Sequence, residues 1–388
     1  MNRLELIAPC HFGLESVLKR EIYDLGYDIL SVEDGKVTFE GDPEAICRAN
    51  VNLRTTERIL LKVGQFKATT FTELFDYTKE LPWEEFLPVN AKFWVTKANS
   101  VNSKLFSSSD IQSIVKKAIV ERLKTKYSVN WFDETGADYP IRVTIMKDVV
   151  TIGIDTSGAS LHKRGYRPAA GKAPISETLA AALIKLTPWR EDRILVDPFC
   201  GSGTFVIEAA IMAANIAPGL HRRFTAMNWD NLIDRQLWKD TKEEARDLQN
   251  LNIKTDIQGF DIDSDVIKIA RSNAVNAGVS DLIHFQTRSV SELSHAKKYG
   301  FIITNPPYGE RLEDKETLPA IYEAFGRQYA KLDSWSAYMI TSYEDAIKYF
   351  GKKADKNRKI YNGMLKTYFY SFIGPKPPKR NKESGIEI

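Results

Sequence analysis

The chain contains few cysteines and no long apolar run. Its three cysteines, Cys10, Cys47 and Cys200, are scattered among 388 residues without a Cys-x-x-Cys pair. This pattern excludes a disulfide scaffold, disfavours a zinc site and indicates a reducing compartment. The longest apolar runs, such as residues 179–184, fall far short of the roughly 20 residues that span a bilayer, and the first residues form no signal-peptide apolar region. We therefore expect a cytoplasmic protein without a membrane span or a bound metal.

The composition is that of an ordinary folded protein. Hydrophobic residues make up 43% and charged residues 27% of the chain, which supplies apolar material for cores and excludes disorder as the main state. The length of 388 residues is sufficient for two or three domains at roughly 100–200 residues each.

Basic residues are concentrated in two places, although the net charge is only +3. Residues 352–388 carry a net charge of +7, which leaves −4 on the rest of the chain. A second basic run covers residues 162–172, and no acidic residue lies between Asp155 and Glu177. One such run is typical of a solvated surface, but two runs that flank the motifs described below make a polyanionic partner an equal alternative. The candidate contacts are Lys163, Arg164, Arg167, Lys352 and Lys353.

The hydrophobic pattern changes several times along the chain, which predicts separate domains joined by a polar linker. The predicted divisions are a small α/β unit at 1–65, a second α+β unit at 66–156, a basic linker at 157–172, the largest domain at 173–374 and a mobile tail at 375–388.

In the largest domain, short apolar strands alternate with helical patterns, which is typical of parallel βαβ units. The predicted strands are 193–197, 256–261, 282–286, 301–305 and 336–341. The end of the domain differs, because Asn362-Gly363 lies between two β-rich runs and is a strong hairpin signal. The sequence therefore predicts an α/β fold whose parallel sheet is closed by an antiparallel hairpin, unlike the usual dinucleotide-binding sheet.

A loop with two glycines follows the first of these strands. Residues 197–204 have the sequence Asp-Pro-Phe-Cys-Gly-Ser-Gly-Thr, and glycine at a strand-to-helix turn lets a ligand approach the backbone. The loop lacks the Gly-Lys-Ser/Thr of a Walker A motif and the third glycine of Gly-x-Gly-x-x-Gly. A ligand without phosphates therefore fits better than a pyrophosphate. The alternative is a tight turn that needs glycine for its conformation alone.

Asp261 ends the next predicted strand, and an acid at this position can accept both ribose hydroxyls of a bound nucleoside. Helix capping is the alternative role for an acid here, and the neighbouring Asp263 or Ser264 can serve it. The segment between the glycine loop and Asp261 is unusually long and carries an aromatic, charged helical pattern at 229–251. We expect this insertion to be a helical decoration packed on the sheet rather than a substrate arm.

The string Asn305-Pro306-Pro307-Tyr308 follows a short apolar strand, at the edge where open α/β sheets bind ligands. Its two prolines fix the backbone. An exocyclic amino group of a nucleobase is a poor nucleophile, because its lone pair is delocalised into the ring. The Asn305 side-chain oxygen and the Pro306 carbonyl can each accept one N–H of such a group and direct its lone pair at an electrophile. Tyr308 offers a face on which a flipped base can stack.

Together these strings resemble the class I S-adenosylmethionine-dependent methyltransferases of the Asn-Pro-Pro-Tyr type. The residues before about 155 are similar to the N-terminal ferredoxin-like and THUMP domains of RNA methyltransferases. The string Arg164-Gly165-Tyr166-Arg167, the segment 173–179 and the closing Tyr361-Asn362-Gly363-Met364 are similar to bacterial 23S rRNA guanine-N2 methyltransferases. The resemblance implies a Rossmann-like methyltransferase domain, S-adenosyl-L-methionine as cofactor, and methyl transfer to the exocyclic N2 of a guanine in 23S rRNA.

The resemblance also implies roles for individual residues. The catalytic turn would be Asn305, Pro306, Pro307 and Tyr308. The cofactor site would be formed by Asp197, Pro198, Gly201, Gly203, Thr204, Asp261, Ile262, Ser289 and Asn305, together with Pro174, Glu177 and Thr178. Many relatives have an aspartate near the position of Ser289, so the contact with the adenine amino group is expected to be weaker here. No metal is implied, because the sulfonium is already a charged leaving group. No general base is assigned, because none of the five histidines lies in these motifs.

Three alternatives share some of these features. Methylation of guanine N2 in tRNA would use the same domains. Adenine N6 or cytosine N4 in DNA, or a protein glutamine, offers a planar nitrogen to the same turn, although the N-terminal resemblance and Gly309-Glu310-Arg311 favour RNA guanine. An RNA-binding ribosome-assembly factor would retain the fold without catalysis, which the intact glycine loop and Asn305 disfavour.

Overall fold

A computed structural model describes residues 3–167, 175–309, 316–363 and 365–378. The chain folds into two compact units. The first unit comprises Met1–Arg164 and Ile216–Gln249, and the second comprises Gly165–Asn215 and Asn250–Ile388. The chain therefore passes from one unit to the other three times, and segments far apart in sequence share one core.

Both units contain strands and helices. The strands of the first unit are β1 (Leu4–Pro9), β2 (Asp28–Glu33), β3 (Lys36–Gly41), β4 (Leu60–Lys67), β5 (Lys92–Val101), β6 (Asp138–Met146) and β7 (Val149–Asp155). Those of the second unit are β8 (Leu195–Asp197), β9 (Ile257–Asp261), β10 (Ile283–Thr287), β11 (Phe301–Thr304), β12 (Ser336–Thr341), β13 (Lys356–Asn362) and β14 (Leu365–Phe372). The described helices are α1 (Glu15–Asp24), α2 (Pro43–Asn52), α3 (Phe71–Glu80), α4 (Ser108–Tyr127), α5 (Glu177–Lys185), α6 (Thr204–Ala213), α7 (Arg235–Asp247), α8 (Ser264–Asn276), α9 (Leu318–Tyr329) and α10 (Ala346–Phe350). None of these helices is long and apolar enough to cross a lipid bilayer.

One seven-stranded sheet runs through the first unit in the order β2-β3-β1-β4-β7-β6-β5. The central strand β4 is antiparallel to β1 on one side, where Leu61 faces Leu6, and to β7 on the other side, where Leu61 faces Ile154. β5 and β6 run parallel to each other. Strand β4 thus joins the two α/β regions of the N-terminal half into one continuous sheet.

The segment Ile216–Gln249, predicted as an insertion, belongs to the core of the first unit. The Trp229 ring stacks on Tyr139 of β6 with ring centroids 4.8 Å apart, and Trp229 Nε1 donates a hydrogen bond to the Asp138 carbonyl at 2.8 Å. Trp238 of α7 is buried in the same core. The expectation that this segment decorates the sheet of the second unit is therefore wrong. Its amphipathic pattern predicted a buried face but carried no information on what that face packs against.

The second unit contains a seven-stranded sheet in the order β10-β9-β8-β11-β12-β14-β13. The strands from β10 to β12 are parallel, and β13 and β14 close the sheet as an antiparallel hairpin at Asn362 and Gly363. The predicted α/β fold, with a parallel sheet closed by a hairpin, is confirmed. The chain order reverses between β8 and β11, and open α/β sheets bind ligands in the crevice that such a reversal opens at the carboxyl ends of the strands.

Helix α9 is fixed against this sheet by aromatic packing. The rings of Phe325 in α9 and Phe350 in α10 have centroids 5.0 Å apart, and Phe372 of β14 lies 4.5 Å from Phe350. Such buried ring clusters contribute much of the apolar area of a core. The position of α9 matters for the site, because Tyr322 of this helix contacts the proline turn.

Candidate active site

The carboxyl ends of three neighbouring strands collect the predicted site residues. Asp197 is the last residue of β8, Asp261 is the last residue of β9, and Asn305 directly follows β11. Because β9, β8 and β11 are adjacent in the sheet, these residues lie along one edge, at the reversal of chain order. The structure thus brings together the glycine loop, the acid of the next strand and the proline turn, although they are far apart in sequence.

The two glycines of the loop after β8 have different functions. Both have positive φ angles, +52° at Gly201 and +88° at Gly203, which glycine adopts without strain. A Cβ atom at Gly203 would lie 3.1 Å from Ile207 and 3.3 Å from Ala270, so this glycine lets the loop pack on α6 and α8. A Cβ atom at Gly201 would meet no atom within 4 Å. Gly201 therefore borders open space from which a ligand can approach the backbone.

Asp197 is enclosed in the protein, with 1% of its surface exposed. Its Oδ1 accepts hydrogen bonds from the Thr304 hydroxyl at 2.5 Å and from the Phe199 N–H at 3.1 Å. Burial raises the pKa of the Asp197 carboxyl to about 7, because the charged form loses its hydration. Thr304 ends β11, so this bond ties the strand before the glycine loop to the strand before the proline turn. Through these two hydrogen bonds, Asp197 links the glycine loop to the strand that leads into the proline turn.

Asp261 is half-buried and is held by backbone N–H groups. Its Oδ2 accepts the Gly201 N–H at 3.0 Å, and its Oδ1 accepts the Asp263 N–H at 3.0 Å. Burial raises the pKa of this carboxyl, and the two N–H groups act in the opposite direction. Each carboxylate oxygen has a further lone pair, so acceptors remain for two ribose hydroxyls. The next residue, Ile262, has 75% of its surface exposed, which leaves an apolar side chain next to this carboxylate.

Asp263 has the capping role that was considered from the sequence. Its Oδ1 accepts the N–H groups of Asp265 at 2.8 Å and Val266 at 3.3 Å at the start of α8. A capping carboxylate satisfies backbone donors that have no partner within the helix. The two acids therefore have separate functions, and it is Asp261 that bonds to the glycine loop.

A chain of hydrogen bonds that the sequence did not predict holds the proline turn. Tyr322 of α9 donates its hydroxyl hydrogen to the Pro307 carbonyl at 3.1 Å, because a carbonyl only accepts. The Thr341 hydroxyl therefore donates to Tyr322 Oη at 2.7 Å, and Thr341 Oγ1 accepts the Tyr343 N–H at 3.1 Å. Burial raises the pKa of Tyr322, so its hydroxyl stays protonated and remains a donor.

The residues of the turn differ in exposure. Pro306 is buried, Pro307 is exposed, and Asn305 and Tyr308 are half-buried. The carbonyl of Pro307 is directed to Tyr322, which leaves the Pro306 carbonyl as the backbone acceptor that we assign to a substrate. The turn is therefore fixed through one carbonyl and can present another.

Arg167, a predicted polyanion contact, is bonded inside the second unit. Its Nε donates to Glu177 Oε1 at 2.9 Å, and its Nη1 donates to the Thr204 hydroxyl at 2.9 Å. The side chains of Arg167 and Glu177 are 9% and 4% exposed. Thr178, the residue after Glu177, is also buried. Two of the predicted cofactor residues, Glu177 and Thr204, thus form one buried cluster with this arginine at the start of α6.

The other predicted polyanion contacts fall into two groups. Three are exposed, namely Lys163, Lys352 and Lys353. Arg164 is 8% exposed, and its guanidinium donates to the backbone carbonyls of Leu161 and Arg54 in the first unit. A direct phosphate contact by Arg164 would first have to break these bonds.

Ser289 follows β10 and caps the short turn Val290–Glu292. Its Oγ accepts the Ser291 N–H at 3.2 Å and lies 2.8 Å from Ser291 Oγ. The hydroxyl is already hydrogen-bonded, so an adenine amino group would have to share it, and this contact stays a prediction. Pro198 is buried in the glycine loop, and Pro174 lies outside the described residues.

Three protein families match the chain in order. Residues 5–60 match the RlmL ferredoxin-like domain, and residues 68–155 match the THUMP domain. Residues 164–370 match the RMKL-like methyltransferase domain. The last match covers more than half of the chain and contains the glycine loop, Asp261 and the proline turn.

Similar proteins cover nearly the whole chain. The Bacillus subtilis protein named "Putative RNA methyltransferase YpsC" is 46% identical over 384 residues, which are 98% of this chain and 99% of that protein. A structure from Listeria monocytogenes, named as a "predicted N6-adenine-specific DNA methylase", is 50% identical with a TM-score of 0.91 and covers 97% of both chains. A structure named "SMU.472, a putative methyltransferase complexed with SAH" is 41% identical with a TM-score of 0.91, over 97% of this chain and 100% of that one. The chain therefore belongs to the RMKL-like methyltransferases that carry an RlmL-type ferredoxin-like domain and a THUMP domain, which confirms the resemblance to THUMP-containing RNA methyltransferases.

Proposed function

We propose that this protein transfers a methyl group from S-adenosyl-L-methionine to the exocyclic N2 of a guanine in structured RNA, with 23S rRNA as the substrate. The observation that carries the proposal is the turn 305–308 at the carboxyl end of β11, beside the strands that end in Asp197 and Asp261. The THUMP match and the relative named as an RNA methyltransferase support RNA as the substrate. The resemblance to bacterial 23S rRNA guanine-N2 methyltransferases supports the base and the rRNA.

The residues around the glycine loop fit S-adenosyl-L-methionine. Asp261 keeps acceptors for two ribose hydroxyls, Ile262 offers an exposed apolar side chain to the adenine, and the space beside Gly201 is open. None of these features requires a phosphate, and SMU.472 with its bound SAH supports this ligand class. Glu177, which is paired with Arg167, is one of the residues that the resemblance assigns to the amino-acid end of the cofactor. When bound, the cofactor supplies a methyl group on a positively charged sulfonium.

The turn prepares the nitrogen that receives the methyl group. The Asn305 side-chain oxygen and the Pro306 carbonyl each accept one N–H of the guanine amino group, which draws the nitrogen lone pair out of conjugation and orients it. Tyr308 stacks on the flipped base. Tyr322 fixes the turn by donating to the Pro307 carbonyl, and the Pro306 carbonyl is the one that we assign to the substrate. The new C–N bond would replace the bond between the methyl carbon and the sulfonium sulfur, so that neutral S-adenosylhomocysteine leaves, and the amine loses its extra proton to water.

A second candidate is methylation of adenine N6, because the Listeria relative is named as an N6-adenine-specific DNA methylase. Adenine N6 is also a planar exocyclic amine, and the same two oxygens would accept its N–H groups. The THUMP match favours RNA over DNA, so the base is the point on which the two candidates differ.

Transfer of a labelled methyl group to RNA in vitro tests both the base and the RNA. The purified protein is incubated separately with protein-free rRNA and total tRNA from a strain that lacks the gene, and the nucleosides are identified by mass spectrometry. We expect label in N2-methylguanosine from the rRNA. Label in N6-methyladenosine would support the second candidate, label in tRNA alone would change the substrate, and no label in either RNA would contradict the enzymatic proposal.

A further inference from the structure

A basic pocket lies in the segment Ile216–Gln249, within the first unit. It has a volume of about 520 Å³ and is lined by Arg223, Phe224, the short helical turn Thr225–Asn228 and helix α7. The basic side chains that line it are Arg223, Arg235, Lys239, Lys242 and Arg246, and one acidic residue, Glu243, lines it as well. None of these residues belongs to the crevice described above.

The basic residues of α7 share one face of the helix. Arg235, Lys239, Lys242 and Arg246 are separated by four, three and four positions, which is the repeat of one helical face. At a rise of 1.5 Å per residue, this stripe extends over roughly 16 Å. A single small anion would contact only part of it, whereas a polyanion with regularly spaced charges can follow its whole length.

Most of this positive charge is not neutralised by acids. Arg235 is the exception, because its Nε and Nη2 bond to the two carboxylate oxygens of Asp230 at 2.7 and 2.6 Å. For Arg223, Lys239 and Arg246, no ion pair with another residue is found in the part of the chain that the structure describes. Like charges without acidic partners repel one another, and an anion bound among them relieves that repulsion.

Lys242 places one of these charges inside the pocket. Its Nζ donates to the Arg222 carbonyl at 2.7 Å, which fixes the ammonium group while leaving two further N–H donors. Burial, together with the charges of Arg246 and Arg223, lowers the pKa of Lys242. A neighbouring phosphate would act in the opposite direction and favour the charged ammonium.

The floor of the pocket is aromatic. The rings of Phe224 and Trp238 stack with centroids 5.4 Å apart and an interplanar angle of 20°, and Lys242 Nζ lies 5.9 Å from the Phe224 centroid. Trp238 is 2% exposed, and its Nε1 has no acceptor among the described residues. Both rings are packed into the core of the first unit, which fixes the backbone that carries the basic side chains.

We propose that Arg223, Lys239, Lys242 and Arg246 bind the phosphate backbone of the RNA that is methylated. This inference rests on the proposed function, because it takes that RNA as the polyanion. Contacts to phosphates fix the register of a nucleic acid without selecting its sequence. The pocket therefore positions the RNA on the first unit, and selection of the base is left to the proline turn.

The salt dependence of RNA binding by the full-length protein tests this proposal. Binding to protein-free rRNA is measured between 50 and 200 mM salt for the wild type, for Lys239→Gln with Arg246→Gln, and for a matched control, Lys19→Gln with Arg20→Gln on the exposed face of α1. Log affinity falls linearly with log salt, and each lost phosphate contact makes this fall less steep by about 0.7–0.9. We therefore expect the stripe variant to bind about tenfold more weakly at low salt with a slope smaller by roughly 1.4–1.8, and the control to keep the wild-type slope. An unchanged slope in the stripe variant, or an equal loss in the control, would overturn the proposal.

Methyl transfer by the same variants separates this proposal from the proposed function. We expect the stripe variant to raise the KM for RNA while kcat and the affinity for S-adenosylhomocysteine stay unchanged. If the wild type transfers no methyl group to RNA but the stripe variant still shows the smaller salt slope, the proposed methyltransferase function fails and the pocket assignment stands. If RNA is methylated and the slope is unchanged, the pocket assignment alone fails. Saturable binding of inorganic phosphate, lost in the stripe variant without any change in RNA binding, would assign the pocket to a small anion and overturn the proposal.

Discussion

The two sides of the active-site crevice are held in place by different means. On the side that we assign to the cofactor, the carboxylate of Asp261 accepts two backbone N–H groups, one of them from Gly201. On the substrate side, a relay of neutral hydroxyls runs from Thr341 through Tyr322 to the Pro307 carbonyl. The Asp261 carboxylate can bond to the glycine loop after β8 and still accept ribose hydroxyls. The proline turn, by contrast, is fixed through the Pro307 carbonyl, which we do not assign to the substrate.

This difference separates the expected effects of mutations. Changes on the cofactor side should alter cofactor affinity, and changes in the turn should alter turnover or RNA binding. The buried hydrogen bond between Asp197 and Thr304 links the two sides. Substitutions that keep this bond should therefore change cofactor affinity or turnover, but not both. Four substitutions test that separation, and their expected effects decrease from Asn305→Ala to Tyr322→Phe.

Asn305→Ala should reduce turnover on the order of 100-fold or more, as for other preorganised hydrogen-bond groups that act on a reacting atom. The substitution removes an acceptor for the amino group and leaves the buried Thr304 unchanged. Single-turnover kinetics with saturating cofactor measure the loss, and calorimetry with S-adenosylhomocysteine should show a much smaller change in affinity. Full activity in this variant would remove Asn305 from the chemistry.

Asp261→Ala should weaken cofactor binding by about 1.5–3 kcal/mol, the range for hydrogen bonds to a charged group. Turnover at saturating cofactor should change much less. The matched control is Asp263→Ala, which removes the cap of α8 and should lower the free energy of unfolding by about 1 kcal/mol without the same loss of affinity. Equal losses of affinity in both variants would assign the effect to the loop as a whole.

Tyr308→Ala should weaken RNA binding by about 1–3 kcal/mol, because it removes the ring on which the flipped base stacks. Tyr308→Phe keeps the ring face and should retain nearly full activity. The comparison of KM for RNA in the two variants measures the stacking contribution. A large loss in Tyr308→Phe would show that the hydroxyl, rather than the ring, is what the site uses.

Tyr322→Phe should lower turnover by about 2–10-fold, since a single neutral hydrogen bond contributes roughly 0.5–1.5 kcal/mol. The ring stays in the core, so the packing of α9 is retained. Thr341→Val breaks the same relay at its next member, and the double variant should lose little more than either single variant. Additive losses would mean that Tyr322 and Thr341 act independently, and lost cofactor affinity would contradict the separation of the two sides.

The local patterns of the sequence were sufficient for the fold of the second unit. The strands before Asp197 and Asp261 and the hairpin at Asn362-Gly363 lie where alternation and turn chemistry predicted them. Such elements depend on neighbouring residues, and their apolar runs are short enough to identify strands. The strings around the crevice were visible for the same reason, because each is a continuous stretch of a few residues.

Partners across the chain could not be predicted in the same way. Arg167 stands in a basic run that is typical of an exposed surface, yet its guanidinium bonds to Glu177 and Thr204. Tyr322 lies on an apolar helical face, where a buried tyrosine looks like any core residue until the acceptor of its hydroxyl is known. The segment Ile216–Gln249 has a clear amphipathic pattern, but such a pattern does not reveal which unit the apolar face joins.

Methylation of guanine N2 in 23S rRNA can be tested by nucleoside analysis of that RNA from cells. The RNA is taken from a strain that lacks the gene and from the same strain supplied with either the wild-type protein or Asn305→Ala. We expect one N2-methylguanosine to be missing without the gene, to return with the wild type and not to return with Asn305→Ala. An unchanged content of N2-methylguanosine in the deletion strain would contradict guanine-N2 methylation of 23S rRNA, and its full restoration by Asn305→Ala would contradict the role of Asn305.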